Sequence, residues 1–135
     1  MAQSESWQHG LQHLCDQGVL AGYALMTRQG HFESPQGVLR DAFCSHTTEQ
    51  LSSDAQQFYH VFDSGQQAET FTLLNQKIIV FKQTACDVYG ISRRKHVGLC
   101  LNNLPFGLLI SVYQKPCLPQ TVIPKLENIC ASLRR

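Results

Sequence analysis

The chain has 135 residues, of which 43% are hydrophobic and 16% charged, and a formal net charge of +1. One domain of this length buries roughly two thirds of the surface its unfolded form exposes, so it can build a core without metal or disulfide staples. A charge so close to zero argues against nucleic acid as the main partner, and the longest nearly apolar stretch, Gly18 to Met26, is about half of a bilayer span, so a soluble, cytoplasmic, non-transmembrane protein is expected.

In chain order, Ser4 reads as the cap of a first helix, with Glu5 placed well against the N-terminal dipole and Trp7, Leu11 and Leu14 on one face. Gly18 reads as its stop, and Gly10 inside it costs up to about 1 kcal/mol relative to alanine. Leu20 to Thr27 is a strand, and the Arg28-Gln29-Gly30 turn leads to a short second strand near His31 to Ser34. Pro35 to Ser52 is mixed and polar and predicts irregular structure. Ser53-Asp54 caps a middle helix whose stripe is Ala55, Phe58, Val61 and Phe62, ended by Asp63-Ser64-Gly65. Phe71 to Leu74 and Lys77 to Lys82 are strands turning at Asn75-Gln76, and Val88 to Ile91 is another.

The last forty residues or so are the most legible. Gly98 to Leu101 and Leu108 to Tyr113 read as paired strands around Asn102 to Phe106, and Pro116 to Pro119 turns into a helix over Gln120 to Arg135. There Val122, Leu126, Ile129 and Leu133 recur at helical spacing, so one stripe faces a sheet while Lys125, Asn128 and Arg134 face outward. Consecutive strands with helices at both ends predict an α+β domain, a central antiparallel sheet with the N- and C-terminal helices packed on one face.

Catalytic patterns are absent: no phosphate loop, no His-Glu-x-x-His, no nucleophile elbow and no deaminase zinc signature. Cys15, Cys44, Cys86, Cys100, Cys117 and Cys130 lie far apart and read as reduced thiols, with Cys100 and Cys130 on buried faces. His9 and His13 share a helical face but have no third ligand nearby, so no metal, cofactor or catalytic residue is expected. A binding module is the expectation, not an enzyme.

The order Tyr113, Pro116, Pro119, Glu127, Leu133 resembles the C-terminal signature of the profilin family, a strand ending in Tyr, a Pro-x-x-Pro turn and a Glu-bearing final helix. The resemblance runs upstream through Gly98 and Arg93-Arg94-Lys95 and covers Trp7 to Leu133. It implies the profilin fold, a monomer in the cytoplasm and cytoskeleton, and two binding surfaces. One is the proline-rich-ligand groove, built in the family from an N-terminal Trp-x-x-Tyr, a strand tryptophan and a C-terminal aromatic or His. Here Trp7 stands at the first position, Gly10 replaces the tyrosine, Phe32 stands for the strand aromatic and Ser132 takes the last place. Each missing ring removes about 1 kcal/mol of stacking, so proline-rich proteins are expected to bind weakly or not at all. Without the resemblance Trp7 reads as a partly buried anchor.

The other family surface binds the actin monomer. With one residue deleted at the Asn75-Gln76 turn, Lys77 and Lys82 match its basic strand, Arg93, Arg94 and Lys95 its basic hairpin, and Lys125 and Glu127 its contacts on the final helix. The resemblance also implies phosphatidylinositol bisphosphate as a ligand of that basic face. Taken alone, Arg93-Arg94-Lys95 reads as a solubilising loop worth little energy. The competing reading is a roadblock or longin-like dimeric scaffold subunit, whose start the Gly18 to Gly22 run and the following strand and turn also resemble.

Overall fold

The computed structural model describes residues 2–27, 32–40, 60, 62, 70–73, 76–92, 97–115 and 117–134, with the backbone alone at 2–7, 32–35, 71–73 and 76. Helix α1 (Ala2–Asp16) precedes strands β1 (Gly22–Met26), β2 (Phe32–Gly37), β3 (Thr70–Leu73), β4 (Gln76–Gln83), β5 (Asp87–Ser92), β6 (Val97–Leu104) and β7 (Gly107–Gln114), and helix α2 (Pro119–Leu133) closes the described chain. The strands form one seven-stranded sheet in the order β2-β1-β7-β6-β5-β4-β3, antiparallel at every pairing.

Strict alternation along the central strands gives the sheet two apolar faces. On one, Tyr23, Leu25, Tyr89, Cys100, Leu104, Leu109 and Tyr113 pack under Leu11 and Leu14 of α1 and Val122, Ile123, Leu126, Cys130 and Leu133 of α2. On the other, Ala24, Met26, Ile78, Val88, Leu99, Leu101, Leu108, Ile110 and Val112 pack with Leu39, Val38 and Phe62. The expected stripe of α2 is the one that faces the sheet, with Ile129 half-buried at its margin.

The helices run antiparallel. The Cys117 thiol, just before α2, donates to the carbonyl of Gly18 just after α1, while a Cβ on Gly10 would stand 3.3 Å from Ile129 Cδ1. Gly10 therefore lets the two helices approach closely. Gly18 ends α1 with a φ of +80°, and the bonds Val19 N–H to Leu14 O (2.9 Å) and Gly18 N–H to Cys15 O (3.0 Å) complete a Schellman cap.

Four local expectations change. Helix α1 begins at Ala2, so Ser4 lies inside it and is not its cap. β2 continues through Pro35, Gln36 and Gly37, where irregular structure was expected, because Gly22 pairs with Gly37 and draws the segment against β1. β6 runs on through Asn102 and Asn103 to a tight turn at Pro105 and Phe106, since buried Asn102 finds side-chain partners on β5. Arg134, expected to face outward, folds back onto Asp87. The Arg28-Gln29-Gly30 turn, the middle helix apart from His60 and Phe62, and most of Pro35 to Ser52 lie outside the described residues.

Candidate functional site

The helix-bearing face is only partly roofed. One cross-strand row runs Thr70, Ile79, Ile91, Gly98, Tyr113 from β3 to β7. Directly opposed residues share a face, so the side chains of this row stand on the helix side with Tyr113. At the β7 end Tyr113 is buried, its ring laid over Gly98, where a Cβ would come within 2.0 Å of Cζ. The Tyr113 hydroxyl is buried without a hydrogen-bond partner among the described residues. Towards β4 the roof ends: Ile91 is half-buried and Ile79 is 43% exposed.

A bulge sets which side chains join that open half. Ile79 pairs with Ile91 and Val80 with Gly90, but Lys82 pairs with Tyr89, leaving Phe81 as the extra residue. In a regular strand Lys77 and Lys82, five apart, would point to opposite faces. The bulge restores the parity, so Lys77, Ile79 and Lys82 all stand on the helix-bearing face. Phe81 itself is 48% exposed.

Lys82 does not stand alone there. Its Nζ lies 3.5 Å from Glu127 Oε1 of α2 and 5.7 Å from the centre of the Tyr89 ring. With the two side chains 51% and 44% exposed, the ion pair is worth under about 1 kcal/mol. The Tyr89 hydroxyl donates to the same Glu127 oxygen at 3.3 Å and accepts from Asn102 Nδ2 at 3.2 Å; Asn102 also donates to Asp87 Oδ1 at 2.9 Å. Asp87 in turn accepts from Arg134 Nη2 at 2.6 Å, and Arg134 also donates to the carbonyls of Asn103 and Cys86. This chain of bonds, from Lys82 to Arg134, ties α2 to β4, β5 and β6 along its length.

Burial, reinforced by the Asp87 carboxylate, holds the Tyr89 phenol well above its ordinary pKa, so it remains a donor to Glu127. Burial lowers the pKa of Arg134, but the hydrogen bond and charge of Asp87 outweigh it and raise the guanidinium above its usual value. Burial pushes the Cys130 thiol up to about 12 against the opposing pull of Arg134, and raises Cys100 as well. Neutral, buried thiols suit packing and are poor nucleophiles. Among the described residues no group of three or more His, Cys, Asp or Glu side chains could hold a metal.

Of the residues matched to the actin surface, Lys77, Lys82 and Glu127 flank the open half, with Lys77 exposed; Lys125 is exposed too, but it lies two residues from Glu127 and four before Ile129, which puts it on the α1 side of α2 and apart from them. Arg93, Arg94 and Lys95 lie outside the described residues. Of the proline-groove set, Trp7 lies about one turn before Gly10 on α1, Ser132 about one turn after Ile129 on α2, and Phe32 opens β2 opposite Met26. Because the helices are antiparallel, these backbones gather at one end of the sheet; Ser132 is exposed and donates to the carbonyl of Asn128 at 3.4 Å. Sequence reasoning missed Ile79, Phe81 and Asn102. Ile79 had a signal, an apolar residue on the face predicted to be cationic; Asn102 had none, since its polar neighbourhood reads as a turn.

No protein-family model and no curated protein sequence matches the chain. Among solved structures it is similar to Acanthamoeba castellanii profilin IB, at a TM-score of 0.71 and 15% identity over 90% of both chains. It is similar to LokiProfilin1 in its complex with rabbit actin, at 0.69 and 14% identity over 96% of this chain and 95% of that one. A lower likeness, 0.58 at 11% identity over 96% of this chain and 86% of that one, is to Myxococcus xanthus MglB. The chain has the profilin fold.

Proposed function

We propose that the chain is a profilin-type actin-monomer binder that regulates filament assembly through the open half of the helix-bearing sheet face. The observation that carries this reading is that bulged β4 sets Lys77 and Ile79 on the open half of the face, which the Lys82–Glu127 pair bounds at α2. The likeness to a profilin solved with actin supports it. Such a protein performs no chemistry of its own: it sequesters or delivers a monomer by occupying part of its surface. Added to actin monomers, the purified chain should slow spontaneous polymerisation in proportion to the complex formed. Charge reversal of Lys77 and Arg94 together should abolish monomer binding, and an unchanged Kd would remove the reading.

On the proline-rich groove, Gly10 has given its aromatic place to close helix packing against Ile129. Trp7 is left as the aromatic candidate beside Ser132, since Phe32 pairs with Met26 of the opposite face, so poly-proline should be retained weakly or not at all. Phosphatidylinositol bisphosphate remains a candidate ligand of the lysines, tested by adding it in vesicles to the actin assay and looking for competition.

The likeness to MglB favours one second reading, a dimeric scaffold subunit. Sedimentation separates the two: the profilin type is chiefly monomeric, whereas an obligate dimer at micromolar concentration supports the scaffold.

A further inference from the structure

The open half of the face has an apolar floor, and its cations are not equivalent. Ile79 and Ile91 oppose each other on β4 and β5, beyond the point where Gly98 and the Tyr113 ring end the roofed part of the same row. Ile79 and Phe81 are two of the three exposed large apolar side chains among the described residues, and they lie within three positions of one another on β4. Exposed isoleucine and phenylalanine near a sheet edge invite non-specific association, so their place on one strand argues for a partner that covers them. Beside them Lys77 is exposed and makes no ion pair among the described residues, whereas Lys82 is held by Glu127 and the Tyr89 ring.

Resting on the reading above, we infer that binding at this face is carried by the Ile79–Ile91 floor with Phe81, and that Lys82 acts within the molecule, seating Glu127 and α2. The occupant is an actin-monomer surface of matching chemistry: an apolar side chain set among carboxylates. The apolar centre supplies affinity because it loses water on contact, while exposed Lys77 at the rim mainly steers the encounter and is screened by salt. An acidic apolar surface is favoured over a second copy of this chain, whose own rim would bring lysine against lysine.

The test measures the Kd for actin monomers at two salt concentrations for the wild type, Ile79→Ser, Phe81→Ser and the double variant Lys82→Gln/Glu127→Gln. The double variant removes the ion pair together, so no charge is left unpartnered by design. The inference expects Ile79→Ser to raise Kd at least tenfold, Phe81→Ser to act in the same direction, and the double variant to stay within threefold of the wild type. Ile79→Ser binding within threefold of the wild type would overturn it while leaving actin binding itself intact. A tenfold loss in the double variant would also overturn it, assigning recognition to the pair. A wild type that does not bind actin ends the functional reading and this inference together. A wild-type dimer that Ile79→Ser splits gives the floor to a second copy and overturns the assignment. The urea midpoint of each variant reports folding, and Ile79→Thr, which keeps the β-branched shape, replaces any variant that fails to fold.

Discussion

One row of the sheet contains two environments. At its β7 end Tyr113 lies over Gly98 beneath the helices with its hydroxyl sealed from water; at its β4 end Ile79 stands 43% exposed, with no helix above it among the described residues. Both residues are apolar and stand on the same face of the sheet. The difference is the path of α2, which runs from beside Gly18 at its start to Asp87 and Asn103 at its end. A sheet face is therefore divided into core and surface by where a helix is tied down, not by the strand sequence beneath it. The tie is polar: Lys82 to Glu127, Tyr89, Asn102, Asp87 and Arg134.

The sharpest way to break the comparison is to fill the glycine. Gly98→Ala drives a methyl group into the buried Tyr113 ring, which must shift to admit it. The expected loss is about 3 kcal/mol in urea unfolding, the upper part of the range for overpacking. A loss below about 1 kcal/mol would mean that the ring has another place to go, and that the roof is looser than its burial indicates.

Alkaline pH tests the same half without a mutation. Burial pushes the Cys130 thiol up to about 12 and raises Cys100 as well, against an ordinary thiol value of 9.0. A folded pKa raised above the unfolded one gives stability that is complete below pH 9 and lost as pH rises towards the folded value. Each thiol then costs about 1.4 kcal/mol per pH unit, so two of them remove on the order of 3 kcal/mol by pH 10. Comparing urea midpoints at pH 8 and 10, with a Cys100→Ala/Cys130→Ala chain as reference, isolates their share. If the reference chain loses as much, the thiols are not what the roof protects.

How much of this division was legible in the sequence depends on the range of the interaction. The α2 stripe, the β6–β7 pair and the Gly18 stop are local patterns, and they stand as read apart from small shifts of boundary. Asn102 and Arg134 were misread because their roles depend on Asp87, which is 15 and 47 residues away respectively. The bulge at Phe81 is a third kind of case. Nothing in Lys77 to Lys82 announces an extra residue, yet without it the lysines would stand on opposite faces. Their shared face came from family resemblance, and the register supplies the physical reason.

The tie that draws the boundary has its own test. Arg134→Ala leaves Asp87 with Asn102 and Thr84 as its side-chain partners at a site where the carboxylate is only 15% exposed, and should cost about 1.5 kcal/mol. Removing the charge as well, in Arg134→Ala/Asp87→Asn, should recover part of that loss, because most of it comes from an uncompensated carboxylate and not from the pair. Additive losses would mean that the two residues hold α2 independently.

The smallest effect is the most discriminating. Ile79 shares the row with Gly98, separated from it only by Ile91, and a reader of strand alternation would place all three in one core. If α2 sets the boundary, Ile79→Ser should cost less than about 1 kcal/mol, the span of strand propensity at an exposed position, in contrast to the loss at Gly98. The same urea titration reads both variants, so their ratio does not depend on the absolute stability of the chain. A cost near 3 kcal/mol at Ile79 would place it in the core after all, covered by residues outside the described ones. Its exposure would then say nothing about a partner. A small cost leaves an isoleucine whose burial the fold does not need, and that is the condition under which its side chain is free to be buried by another protein.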